Sequence, residues 1–191
     1  MLDFAAVTRK ETTLFELCGQ LTPNQLRDMT NEMIDTILDM IAECTDEDVM
    51  FEYRDSQAED KVAASSDEVN MSWTLGHVIV HTTASGEEAA AVAAALARGV
   101  QPEGRSRYET PWQTIQTVGQ CGQRLEESRR IRLASLGMWP DKPHVDNHIT
   151  LSFLSGPVNA PARFCLGLLH ESSHLEQIRE IIRQAKVTHT E

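Results

Sequence analysis

The sequence predicts an all-α protein, a four-helix bundle with long loops before its second and fourth helices. Strand signals are weak, because only 5% of the residues are aromatic and β-branched residues rarely alternate with polar ones. Apolar residues recur instead at three- and four-residue steps over four long segments, as expected for amphipathic helices. With 191 residues, 41% of them hydrophobic, the chain can bury a sizeable core, so we expect one domain over 1–191.

The first long helix is predicted over 23–43, after a helical lead-in over 1–20. Thr22 followed by Pro23 is typical of an N-cap and the first position of a helix. The apolar face of this helix includes three methionines that we expect mainly in the core. It consists of Leu26, Met29, Met33, Ile37, Met40 and Ile41.

The segment over 44–72 is predicted to be an acidic loop. Residues 43–69 contain ten acidic and two basic residues, and a charge run of this kind is usually solvated. Thr45 is a suitable cap for a short turn that ends at Asp48.

The second and third helices are predicted over 74–98 and 111–136. Gly99 follows the second helix and ends it. Thr110 and Pro111 repeat the cap-and-proline pattern and predict the start of the third helix.

The fourth helix is predicted over 161–186, after a loop over 138–159 that contains three prolines. This loop and the segment over 54–72 are unusually long connections for a compact bundle, and loops of such length are commonly functional. We therefore expect the two loops to cover a substrate.

Composition argues against several classes of partner. The chain has 17 basic and 29 acidic residues, and its net charge of −12 argues against binding to nucleic-acid backbones or anionic membranes. No apolar run reaches the length of a membrane span and the first residues do not resemble a signal peptide, so we expect a cytoplasmic protein. The four cysteines are widely spaced, and we expect reduced, mostly buried thiols.

Two HxxxH pairs carry the candidate chemistry. His77 and His81 lie in the second predicted helix, and His170 and His174 lie in the fourth. Residues four positions apart share a helical face, so each pair could present two ring nitrogens to one divalent ion. A third ligand from another helix would leave coordination positions open, as catalytic sites do.

Depth along the helices suggests which histidines can meet. His81 lies about 11 Å into its helix, and His170 and His174 lie about 14 and 20 Å into theirs. These three can converge whether the helices run parallel or antiparallel. His77 lies in the first turn and is the alternative to His81 as a metal ligand.

Two motifs resemble those of the DinB/YfiT-like superfamily. The sequence WTL at 73–75, with His81 eight residues after the tryptophan, is similar to the start of helix 2 in that family. The sequence HESSHLEQI at 170–178 is similar to the HxxxHxxQI element of its last helix. The resemblance implies a metal-binding four-helix bundle whose ligands are His81, His170 and His174.

The resemblance also implies a crossover connection between helices 2 and 3. The link over 100–110 could span about 36 Å if extended, which would allow such a connection.

Three histidines suit zinc or nickel, and also iron or manganese. Gln177 shares a face with His170 and is a candidate to hydrogen-bond a ligand histidine. Glu88, seven residues after His81, is a candidate fourth ligand or general base. A purely structural or solvated role stays open for both residues.

The resemblance implies a metal-dependent enzyme that transfers a low-molecular-weight thiol to an electrophilic small molecule, since a bound ion lowers the pKa of a thiol. A metal-dependent hydrolase, with Glu88 accepting a proton from water, is one alternative. A non-catalytic metal-binding, stress-associated bundle acting through a partner is another. A di-iron carboxylate protein is not expected, because a Glu-x-x-His motif occurs just once, at 171–174.

We expect a small-molecule substrate, and a homodimer formed through the methionine-rich first helix is an open alternative to a monomer. Four basic residues in or near the loops could contact an anionic substrate or simply lie on the surface. They are Arg105, Arg107, His144 and His148.

Overall fold

Helices account for most of the structure, a computed structural model that describes residues 2–53, 73–104 and 107–189. Helix makes up 65% of the described residues and strand is scarce among them, in agreement with the predicted all-α class. The elements in chain order are α1 (Phe4–Thr8), α2 (Leu14–Cys18), α3 (Pro23–Ile41), α4 (Asp46–Met50), α5 (Leu75–Ala97), a 3₁₀ turn (Trp112–Thr114), α6 (Val118–Leu136), β1 (His148–Thr150), β2 (Pro157–Asn159) and α7 (Ala160–Thr188).

Threonine caps fix where two of the long helices begin. Thr22 accepts a hydrogen bond from the backbone N–H of Gln25, whose side chain accepts one from the Thr22 N–H at 2.9 Å. This reciprocal capping box satisfies donors that the start of a helix otherwise leaves unpaired. Thr74 accepts a hydrogen bond from the backbone N–H of His77 at the start of α5. The predicted starts of α3 and α5 are thereby confirmed to within one residue.

The predicted start of the third long helix at 111 is wrong. A 3₁₀ turn follows Pro111, and Ile115 then has an extended backbone. Thr117 and Gln120 form a capping box that starts α6. A reciprocal box satisfies more backbone donors than the earlier Thr-Pro pair can, which explains the later start.

The N-terminal half differs from the prediction in two places. The lead-in over 1–20 consists of two separate short helices, α1 and α2. The acidic segment over 44–72 is not entirely loop, because Thr45 and Asp48 form the capping box of α4. The rest of that segment, 54–72, lies outside the described residues.

The loop predicted over 138–159 contains a small β-hairpin. Strand β1 pairs antiparallel with β2, so that Ile149 lies opposite Val158 and His148 opposite Asn159. Strands of three residues are too short to show the alternation by which a strand is recognised in sequence.

Helix α7 runs parallel to α3. At its start, the Asn159 side chain donates to the carbonyl oxygen of Gly19, just before α3, at 2.9 Å. At its end, His189 lies 3.0 Å from the carboxylate of Asp48, just after α3. The core lies between the long helices and includes Met33, Ile37, Ile79, Leu125, Phe164, Leu168 and Ile178.

Helix α5 runs antiparallel to α7. Gly86 of α5 faces Gly167 of α7, whereas the earlier residue His81 faces the later residue His170. Residue numbers therefore increase along α5 in the direction in which they decrease along α7. The two HxxxH segments meet near the start of α5.

The connection between α5 and α6 runs back along α5. At the end of α5, the carbonyl oxygen of Ala97 accepts a hydrogen bond from the backbone N–H of His144, which follows α6. At the start of α5, Gly76 lies directly against the backbone of Ile115, which precedes α6. The two helices thus run in the same direction, and the link over 98–117 crosses over between their opposite ends.

Two glycines allow α5 and α7 to approach closely. A Cβ atom added to Gly167 would lie 2.9 Å from the Cα atom of Gly86 and 3.0 Å from the Cβ atom of Ala89. These contacts are with backbone and with a short, rigid side chain, so the helices themselves would have to separate.

We expect Gly167→Ala to lower the free energy of unfolding by about 1–3 kcal/mol, because overpacking at a close helix contact forces backbone shifts. Gly122→Ala on α6 is the matched control, since its added methyl group would meet Leu38 Cδ2 at an ordinary 3.9 Å. That control should stabilise the protein by about 0.4–1 kcal/mol. Urea denaturation measures both variants, and equal effects would contradict the close approach.

Candidate metal centre

Three histidines converge between α5 and α7. His81, His170 and His174 each offer a ring nitrogen, and these nitrogens all lie within 4.8 Å of one another. His170 and His174 share a face of α7 because they are one helical turn apart, and the antiparallel packing of α5 brings His81 opposite them. All three side chains are partly buried.

The spacing of the ring nitrogens suits a metal ion. His81 Nε2 and His170 Nε2 are 3.2 Å apart. Two nitrogens bound to one tetrahedral zinc ion at about 2.0–2.1 Å would be separated by about 3.3 Å. The ring centroids are 4.7 Å apart for His170 and His174 and 5.4 Å for His81 and His174. The residues present could therefore hold one ion.

Gln177 contacts a ligand candidate directly. His174 Nδ1 lies 2.7 Å from Gln177 Oε1. If Nδ1 carries the proton and donates it to this amide oxygen, Nε2 keeps its lone pair for a metal. Sequence reasoning singled out Gln177 for such a role, but by its spacing from His170 rather than from His174.

His170 is held in its neutral form. Burial, together with the neighbouring His174 and His81, lowers the pKa of His170 to about 3. A neutral imidazole offers a lone pair to a metal, whereas a protonated one does not. Its Nδ1 atom is buried and has no hydrogen-bond partner among the described residues.

His81 lies against an ion pair from the crossover link. Arg107 Nη2 lies 3.2 Å from His81 Nδ1 and donates to the His81 carbonyl oxygen at 3.0 Å. Arg107 also pairs with Glu109 at 2.6 Å, and the other Glu109 oxygen lies 3.7 Å from His81 Nδ1. Burial raises the pKa of Glu109, but its interactions with His81 and Arg107 outweigh burial and lower the pKa to about 2.

Sequence reasoning did not single out Glu109, and for Arg107 it left open contact with an anionic substrate or a position on the surface, without predicting this ion pair. Spacing along the chain gave no signal for either contact, because both depend on the path of the crossover link. Arg105, the other arginine considered there, lies outside the described residues.

His77, the alternative to His81, lies in a different environment. Its ring is stacked between Trp73, at a centroid distance of 4.4 Å, and Trp112, at 5.0 Å. Trp73 also stacks on His174 at 5.9 Å. The structure therefore groups His81, and not His77, with the two histidines of α7.

Glu88 lies outside the histidine cluster. Seven residues separate it from His81, which is about 10 Å along the helix axis. Because α5 and α7 are antiparallel, this displacement carries Glu88 away from His174. The geometry does not place Glu88 as a fourth ligand.

The remaining histidines of the described chain also lie elsewhere. The backbone N–H of His144 binds to the carbonyl oxygen of Ala97 at the end of α5. Ala97 lies sixteen residues after His81, which is about 24 Å along the helix. His148 is exposed and contacts the carbonyl oxygen of Asp146. The loop over 138–159 therefore lies at the opposite end of the helices from the cluster, and the expectation that it covers the site is wrong.

The cysteines agree with the expected free thiols. Cys18, Cys121 and Cys165 are buried, Cys44 is partly buried, and all four are free. No helix within the described residues is long and apolar enough to cross a membrane.

Fold and site together define a mostly helical protein with a three-histidine cluster that could hold a metal ion. Comparisons with protein-family models, curated proteins and solved structures find no match for this chain.

Proposed function

We propose that this protein is a metal-dependent enzyme of the DinB/YfiT-like superfamily that transfers a low-molecular-weight thiol to an electrophilic small molecule. His81, His170 and His174 would bind one divalent ion, zinc or nickel by preference. The observation that carries the proposal is the convergence of three ring nitrogens within 4.8 Å from two facing helices.

The helix arrangement supports the proposed family. We interpret α3, α5, α6 and α7 as a four-helix bundle in which the second and third helices run in the same direction. The link over 98–117 then supplies the crossover that the motif resemblance implies. This agreement is independent of the histidine motifs, because it depends on contacts at Ala97 and Gly76 rather than on the residues of the cluster.

A site with three protein ligands leaves coordination positions for a small molecule. A bound divalent ion would lower the pKa of a thiol so that thiolate is present near neutral pH. The chain's own contribution is to hold two of the three imidazoles in place, through Gln177 on His174 and the Arg107–Glu109 pair on His81. The partial burial of the cluster leaves room for access from solvent.

The nature of the nearby carboxylates favours a thiol over water as the nucleophile. Glu109 has a pKa of about 2 and is paired with Arg107, so it is a poor proton acceptor at neutral pH. Glu88 lies outside the cluster. Within the described part of the chain no carboxylate is therefore placed as the base that the hydrolase alternative invokes, whereas a metal-bound thiol can lose its proton to solvent.

The test combines metal content with thiol transfer. We expect the purified or reconstituted protein to contain about one equivalent of zinc or nickel and to accelerate the reaction of a low-molecular-weight thiol with a chromogenic aryl halide. His81→Ala should lose both properties. One equivalent of metal without activity across a panel of thiols and electrophiles would favour the non-catalytic alternative, and no metal after reconstitution would contradict the proposal.

A further inference from the structure

Which of its two ring nitrogens carries the proton decides whether His81 can bind a metal through Nε2. A neutral imidazole carries one N–H, and Nε2 can bind a metal when the proton is on Nδ1. His81 Nε2 is the atom that faces His170, at 3.2 Å. The groups that face His81 Nδ1 therefore determine how well His81 is prepared for metal binding.

Two groups of opposite hydrogen-bonding character face His81 Nδ1. The guanidinium of Arg107, at 3.2 Å, can only donate, so it favours a bare Nδ1 and places the proton on Nε2. The carboxylate of Glu109, at 3.7 Å, can only accept when ionised, so it favours the proton on Nδ1. A shift of less than about 1 Å would bring the carboxylate within the usual hydrogen-bond range.

Arg107 also determines where Glu109 lies. Its guanidinium is anchored to the carbonyl oxygen of His81 at 3.0 Å and holds the Glu109 carboxylate at 2.6 Å. Arg107 thereby fixes one oxygen of this carboxylate, and the other oxygen is the one that faces His81 Nδ1 at 3.7 Å. The Glu109 carboxylate that faces His81 thus belongs to the crossover link, a part of the chain that contains none of the three candidate ligands.

We propose that Glu109 is the positioning residue for His81: its carboxylate accepts a hydrogen bond from Nδ1–H, so that the lone pair of Nε2 is available to the metal, and Arg107 holds the carboxylate in place. This inference rests on the proposed metal site and adds a function for the crossover link. Partners of this kind on ligand histidines typically change metal affinity by about 10- to 100-fold.

The experiment is a zinc titration of the full chain against a chromophoric chelator. We expect Glu109→Ala to weaken zinc binding by about 10- to 100-fold while the three histidines are intact. Glu109→Gln should recover part of the loss, because its amide oxygen can still accept a hydrogen bond from Nδ1–H. Glu103→Ala is the matched control: it removes an exposed carboxylate from the same link and should change the affinity less than twofold.

Proton NMR of the zinc-loaded protein with ¹⁵N-labelled histidine provides a second measurement. We expect a downfield Nδ1–H signal of His81 in the wild type and in Glu109→Gln, and its loss through solvent exchange in Glu109→Ala. Circular dichroism checks that the variants fold.

Three results would overturn the inference. Glu109→Ala with wild-type affinity and an unchanged Nδ1–H signal would leave the metal site intact but remove the positioning role. An equal loss in Glu103→Ala would assign the effect to overall charge. A wild-type protein that binds no zinc would overturn both this inference and the proposed function.

Discussion

Alanine in place of His81, His170 or His174 is expected to abolish stoichiometric zinc binding. Each substitution removes one of three nitrogens that lie within 4.8 Å of one another, and two neutral imidazoles alone bind zinc weakly. The loss in affinity should exceed the 10- to 100-fold effect typical of losing a hydrogen-bond partner of a ligand. Elemental analysis and competition titration measure stoichiometry and affinity.

Two further histidine variants make the result specific to the cluster. His148→Ala removes an exposed histidine from the far end of the helices and should leave zinc binding unchanged. His77→Ala removes the ring stacked between Trp73 and Trp112, so we expect lower stability but one equivalent of bound zinc. Loss of zinc in His77→Ala with retention in His81→Ala would reverse the assignment of the ligands.

The features that local chemistry determines could be predicted from sequence. Thr22 with Pro23 gave the start of α3, because a capping side chain acts on backbone groups two or three residues away. The i,i+4 spacing of His170 and His174 gave two members of the cluster, because that spacing alone puts both on one face of α7.

The features that depend on the path of the chain could not be predicted. Glu109 lies near His81 because the crossover link returns along α5, and no local pattern around residue 109 encodes that path. The expectation that the loop over 138–159 covers the site was wrong for the same reason. Its length was recognised, but its position at the far end of α5 follows from the contact between His144 and Ala97.

A buried ion pair next to the histidine cluster is another feature that depends on tertiary structure and could not be predicted from the sequence. Arg132 of α6 donates to Glu171 of α7 at 2.8 Å, and both side chains are almost fully inaccessible, at 1% and 0% exposure. Burial raises the pKa of the Glu171 carboxyl, and the Arg132 guanidinium opposes that shift. The absence of a side chain at Gly86 makes room for the guanidinium between α5, α6 and α7.

Removing one partner of this pair is expected to have the largest effect on stability. Glu171→Leu or Arg132→Met alone should lower the free energy of unfolding by about 3–5 kcal/mol, because a buried charge loses its partner. The double variant should recover most of that loss, since two apolar side chains replace both charges. Urea denaturation of the four proteins completes a double-mutant cycle.

The exposed pair Arg179 and Glu176 on the same helix is the matched control. It has a similar separation of 2.9 Å, but both side chains are mostly exposed. Solvent screens such a pair, so Glu176→Leu should change stability by less than about 1 kcal/mol. If Glu171→Leu were as mild as Glu176→Leu, the buried pair would not hold α6 against α7. The contact between α5 and α7 alone would then have to fix the position of His170, which precedes Glu171 on α7.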